Sequence, residues 1–136
     1  PMVNRRRILE LIACAGLPSL VPQAVLAATK PNVGLIFVGA SWCQYCAAIS
    51  PLLHDLQQQT GMDILVASLD RRPIAPFAAF EDATAHPAAS GITSIPHIFV
   101  YNQTLDAVTH QVVGVRTSRS FVQRLSSAMA QSRAMG

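Results

Sequence analysis

The residues best suited to chemistry are Cys43 and Cys46 in the stretch Trp42-Cys43-Gln44-Tyr45-Cys46; the third cysteine, Cys14, lies far upstream. Two thiols with two residues between them suit thiol–disulfide exchange or soft-metal binding, and haem attachment when a histidine follows directly. Ala47 follows Cys46, which removes haem. A structural zinc site takes four ligands, commonly a second cysteine pair or added histidines. The sequence has no second pair, and His54, His86, His97 and His110 lack ligand spacing among themselves. No metal site is assigned, although copper held by Cys43, Cys46 and His97 stays open, because thiolates and imidazole suit that ion. Exchange is the favoured chemistry, since the pair sits where a strand gives way to a helix. Orphan N–H groups and the dipole at a helix N-terminus favour a thiolate at Cys43. Cys46, one turn on, is close enough to displace a mixed disulfide and close the ring.

The elements that must hold this pair can be read outward from it. Val33 to Gly39 (VGLIFVG) reads as a buried strand, and Ser41 as a helix N-cap region. From Cys43 to Thr60, Ile49, Leu52, Leu53 and Leu56 fall at helical spacing, with Pro51 as a kink and Gly61 as the closing glycine. Ile64 to Leu69 reads as a second strand. A helix is expected over Ile74 to Ala85, stopping before Pro87. His97 to Tyr101 and Ala107 to Val113 read as strands joined by a short turn. Thr117 or Ser118 caps a last helix with Phe121, Val122, Leu125 and Met129 on one face. The order β-α-β-α-β-β-α implies an α/β fold with a mixed four-stranded sheet and helices on both faces.

From Val33 to about Ser132 this arrangement resembles the thioredoxin superfamily. Four features coincide in order: WCxxC after a strand, Pro51 five residues after Cys46, Ser94-Ile95-Pro96 before a strand, and Gly114 after the last strand. The resemblance implies that Cys43 is the nucleophile and Cys46 the resolving thiol. It also implies that Pro96 is cis and faces the sulfurs, with Ile95 offering its backbone to a substrate. Gly114 would border the substrate groove, and Trp42 would flank the site. The one redox group implied is the Cys43–Cys46 disulfide itself, with no separate cofactor. There are departures. Phe37 stands where thioredoxins bury an aspartate, and residues 71–90 exceed a minimal thioredoxin. Gln44-Tyr45 is neither the Gly-Pro of reductive thioredoxins nor the Pro-His of the strong periplasmic oxidase. A tyrosine before the second cysteine is similar to periplasmic isomerases and glutaredoxins, while Ile95 is similar to reductive thioredoxins. A reductant is favoured, with an isomerase, an oxidase or a copper-delivery module as alternatives. His97, next to Pro96, is a candidate modulator of the pair.

Residues 1–27 read as a cleaved export signal ahead of a single domain over 28–136. Arg5-Arg6-Arg7-Ile8-Leu9 resembles a twin-arginine signal, an apolar stretch follows, and Val25-Leu26-Ala27 offers a small-residue cleavage site. Cys14, after Leu11-Ile12-Ala13, resembles a lipoprotein box, but the preceding apolar region is short, so it reads as part of the discarded signal. The expected location is periplasmic or otherwise extracytoplasmic, with membrane contact only through an uncleaved signal. The expected partners are disulfides of exported client proteins and an upstream dithiol donor, for a monomer. The formal charge is +3; the three arginines against Glu10 account for +2 of it. A nearly neutral body gives no footprint for nucleic acid.

Overall fold

A computed structural model describes residues 31–136 apart from Ser90 and Thr93, so the readings made for residues 1–27, Cys14 included, lie outside the described residues. The apolar run Val33–Gly39 forms β1, and its position explains its composition. It lies between a parallel neighbour, β2 (Ile64–Ser68), and an antiparallel one, β4 (His97–Asn102). A strand covered on both faces reads as continuous hydrophobicity rather than alternation. Val33, Leu35 and Phe37 enter the larger core, while Val38 enters a smaller one on the opposite face. β5 (Ala107–Val113) pairs antiparallel with β4, with an irregularity at Val100/Tyr101.

The sheet has five strands rather than the expected four, in the order β3-β2-β1-β4-β5. The added strand, β3, is the two-residue pair Glu81–Asp82 beside β2. It falls inside the segment expected to be helical from Ile74 to Ala85, and that helix does not form. Pro76 lacks an amide donor and disfavours the helical conformation at Ala75. Ile74 and Phe77 instead act as separate buried anchors. Asp82 then caps a short 3₁₀ turn, Ala83–Ala85, accepting from the Thr84 amide at 3.0 Å and hydroxyl at 2.7 Å. A second 3₁₀ turn spans Pro87–Ala89.

Two long helices complete the fold, α1 (Gln44–Thr60) and α2 (Ser118–Met135). Both bury their apolar faces in the larger core, α1 through Ile49 and Leu53, α2 through Phe121, Leu125 and Met129. The α-helices thus share one face of the sheet. The other face, with Val38, Ala67 and Phe99, is covered by Ala83 and Ala89 of the 3₁₀ turns. Leu52 and Val122, placed on apolar faces by spacing, line a surface groove of about 230 Å³ between the helices. Among the described residues no helix is long and apolar enough to cross a membrane.

Strand direction decides what meets at one end of the sheet. β1 and β2 run in parallel, β4 runs against β1, and β5 against β4. The residues just after β2, just after β1, just before β4 and just after β5 therefore gather together. In order across the sheet they are Asp70, Ala40 to Cys43, Ile95-Pro96 and Gly114, on strands ~4.8 Å apart.

Candidate active site

Cys43 is the N-cap of α1, a place expected for Ser41. Its backbone is extended (φ −82°, ψ 113°), and its carbonyl accepts the Ala47 amide at 3.0 Å. The Cys43 sulfur accepts the amide of Cys46 at 3.1 Å. N-caps are usually oxygen side chains that satisfy an orphan amide of the first turn; here the thiol does so. Cys43 keeps 6% of its surface exposed and Cys46 none. Burial, followed by the contact with Cys43, pushes the Cys46 thiol up to about 12, with the Ala40 backbone partly opposing. Both cysteines are free in this structure. The two sulfurs are thus chemically unlike. Cys43 is buried except for a small exposed area and has a backbone donor on it, and Cys46 is a fully buried, neutral thiol at ordinary pH.

The wall around Cys46 is apolar and tight. Phe37 is fully buried and meets Phe77 edge-on, with ring centroids 6.4 Å apart. No carboxylate stands at position 37 to take a proton from Cys46. Gly39, unremarked in the sequence, is required by space. A Cβ there would lie 2.9 Å from the Cys46 sulfur, 3.2 Å from Ile74 Cδ1 and 3.2 Å from Phe37 Cε1. Gly39→Ala must therefore displace the sulfur or the rings. Overpacking of this kind costs about 1–3 kcal/mol. The expected result is a lower urea midpoint together with altered Cys46 alkylation in denaturant-free buffer. An unchanged midpoint would show that the wall gives way freely.

The rim assembles the remaining residues marked by sequence. The Ile95–Pro96 peptide is cis, and the Pro96 carbonyl accepts the Gly114 amide at 2.9 Å. Pro96 is buried, while Ile95 is half-buried and packs against both cores. Gly114 has φ 73°, with open space around a Cβ, so backbone conformation rather than crowding selects glycine. Trp42 is 71% exposed, and Tyr45 is 52% exposed. They form an aromatic shoulder beside Cys43 instead of packing into the core.

His97 is not brought to the sulfurs. It pairs across the sheet with Val38, stacks on Phe99 (centroids 4.5 Å) and hydrogen-bonds Gln111 at 2.9 Å. Directly opposed residues share a face, so His97 lies on the Val38 side, whereas the cysteines belong to the Phe37 side. The trio Cys43, Cys46 and His97 is not assembled. Among the described residues no group of three or more His, Cys, Asp or Glu gathers as a metal site.

A second feature missed by sequence is Asp70. Its carboxylate accepts from the Ser41 amide at 3.2 Å, from the Ser41 hydroxyl, and from the Ser68 hydroxyl at 2.8 Å. Ser68 in turn accepts the Arg72 amide at 3.1 Å. This ties the loop carrying Trp42 and Cys43 to the end of β2. The hydrogen bond from Ser41 lowers the Asp70 carboxyl from 3.8 to about 2. The folded protein then binds fewer protons than the unfolded chain, so the contribution is present above pH ~4 and is lost as pH falls toward ~2. Asp82, lowered first by Thr84, acts in the same direction. Asp70→Asn should therefore flatten, without abolishing, the loss of stability measured by urea titration between pH 5 and pH 2. An acid limb unchanged in the variant would remove Asp70 from this role.

With the geometry in place, the relatives agree. The family model described as TraF, F plasmid transfer operon protein, matches residues 20–126. A thioredoxin of Mycolicibacterium smegmatis is 26% identical over 108 residues, covering 77% of this chain and 84% of its own. The long form of thioredoxin f from spinach chloroplast superposes with a TM-score of 0.54 at 17% identity, over 80% of this chain and 77% of that one. Reduced Schistosoma mansoni thioredoxin pre-protein does so with a TM-score of 0.52 at 16% identity, over 80% and 87%. These structural likenesses speak to the fold, while the family match spans the dithiol, the cis-proline loop and Gly114 together. The chain belongs to the TraF family within the thioredoxin superfamily, and in the broad sense it is a thiol–disulfide oxidoreductase.

Proposed function

We propose that this protein reduces disulfides of exported client proteins outside the cytoplasm and is recharged by an upstream dithiol donor. The observation that carries the reading is the inequality of the two sulfurs: Cys43 keeps a small exposed area and has an amide donor at 3.1 Å, whereas Cys46 is fully buried with its thiol near 12. Support for the location comes from the Arg5-Arg6-Arg7 start and apolar stretch of residues 1–27.

The chemistry runs in two displacements. The Cys43 thiolate attacks one sulfur of the client disulfide, forming a Cys43–client disulfide and releasing the other client sulfur as a thiolate. Cys46 then loses its proton and attacks the Cys43 sulfur, expelling the second client thiolate and closing the Cys43–Cys46 disulfide. The client gains two electrons and the protein loses two. The proton of Cys46 goes to a departing client thiolate or to water, because Phe37 offers no acceptor. In this reading the Ile95 backbone aligns the client, Pro96 places no amide donor against the sulfurs, and Gly114 and Trp42 bound the groove.

The same sulfurs support a reducing direction. A strong oxidant needs a reduced form held down by a stabilised thiolate. Here Gln44-Tyr45 supplies no cation, and Cys46 is held protonated. A slow second displacement also suits isomerisation, in which the mixed disulfide is attacked by another client thiol before Cys46 resolves it.

Cys46→Ser should accumulate a mixed disulfide between Cys43 and a client, visible on non-reducing gels and by mass spectrometry, while Cys43→Ser should accumulate almost none. Faster alkylation of Cys46 than of Cys43 in the native protein would reverse the roles. Full disulfide reduction by either single variant would end the redox reading.

A further inference from the structure

The near-neutral charge of the folded part conceals a segregation. From Ala107 to Gly136 the chain carries Arg116, Arg119, Arg124 and Arg133 and no carboxylate. From Pro31 to Asp106 it carries Arg71 and Arg72 against six carboxylates. Residues 107–136 are therefore +4, and residues 31–106 are −4. At the end of the sheet that holds the dithiol, only the β5 side carries an excess of charge, because Arg71 and Arg72 offset Asp70 and Asp82 beside β2 and β3. On the β2 and β3 side lie Asp70, held by Ser41 and Ser68, and Asp82, 3.5 Å from Arg71. On the β5 side lies a groove of about 620 Å³ lined by Val113, Gly114, Val115, Arg116, Ser120 and Arg124.

That groove opens at the end of the sheet that carries the dithiol. Gly114 is bonded to Pro96, and Val115 packs on the core cluster that contains Cys43 and Cys46. Its cations are differently placed. The Arg124 guanidinium is pinned, donating to the Val113 carbonyl at 3.1 Å and the Gly114 carbonyl at 2.8 Å. Two of its five donors are thereby used, and its charge is fixed at the groove wall. Arg116, two residues past Gly114, is exposed.

We propose that this groove receives the acidic flank of the client, so that preferred substrates carry Asp or Glu close to the cysteine that Cys43 attacks. The inference rests on the reductase reading above and adds the substrate class. A guanidinium fork matches a carboxylate in shape and charge. Exposed cations of this kind act mainly by steering encounter and fixing orientation, so the effect belongs in kcat/KM and is sensitive to salt.

The test uses two disulfide-closed peptides that differ only in having two Glu or two Lys beside the cysteine. Reduced wild-type protein, used stoichiometrically in single turnover, should be oxidised by the Glu peptide with a second-order rate constant, the equivalent of kcat/KM, about tenfold higher than by the Lys peptide at low salt. The preference should vanish near 1 M salt, where charges are felt over only ~3 Å. The Glu/Lys ratio should fall to one or invert in Arg116→Glu and persist in Arg133→Glu, which makes the same charge change at the far end of α2. Equal rates for the two peptides would overturn the proposal. So would a ratio that survives Arg116→Glu, or one erased equally by Arg133→Glu, since that would mark net charge rather than the groove. Neutral 4,4′-dithiodipyridine, run beside the peptides with wild type, separates the two levels. If it is reduced while the peptides are not distinguished, only the docking inference fails. If it is not reduced, the reductase reading fails and the docking inference falls with it.

Discussion

The hydrogen bond from the Cys46 amide to the Cys43 sulfur is the interaction on which the rest of the site depends. It makes one atom serve as both helix cap and the less buried of the two sulfurs, so the start of α1 and the chemistry cannot be separated. The same turn that puts the amide on Cys43 carries the Cys46 side chain inward against Phe37, Ile74 and Gly39. The contrast between the sulfurs is therefore a by-product of where α1 begins. What fixes that beginning is the sheet: β1 ends at Gly39, and the Cys43 amide turns back onto the Ala40 carbonyl at 3.2 Å.

The surrounding structure can be understood as support for that start. Asp70 holds the incoming loop from one side through Ser41. On the other side the Pro96 carbonyl and Gly114 amide join the ends of β4 and β5, and Arg124 fastens β5 to α2. At the far end of α2, buried Asn102 donates to the Ser132 carbonyl at 2.7 Å and accepts the Leu105 amide at 3.0 Å. Such buried polar contacts are costly to leave unmade, and this one anchors the helix whose first turns border the groove. The cations of the β5 side are laid over this scaffold.

The parts of the fold that were legible in the sequence are those with strong local signals. β1, α1, β4, β5 and α2 follow from apolar period and from Gly61, Gly114 and Thr117. Cys43, Cys46 and Pro96 could be placed because motif and chain order agree. The segment after β2 was not legible. Its alanines favour a helix by composition, Pro76 disfavours the helical conformation at Ala75, and two buried anchors decide the outcome through tertiary contacts. Gly39 was missed because its reason is a sulfur seven residues away in sequence, which leaves no local pattern. Asp70 was missed because its partners are Ser41 and Ser68, ordinary residues until the ends of β1 and β2 are side by side. His97 was misdirected by its neighbour Pro96, since strand alternation sends it to the opposite face.

The central claim is that Cys43 and Cys46 form one reversible two-electron couple poised to reduce. The most direct measurement is the equilibrium reduction potential of that pair in glutathione or dithiothreitol buffers, read by alkylation and mass. The account predicts a single two-electron transition between about −230 and about −290 mV, on the side of the reductive thioredoxins. A transition near −120 mV, the region of a strong oxidase, or the absence of any reversible Cys43–Cys46 disulfide, would contradict it.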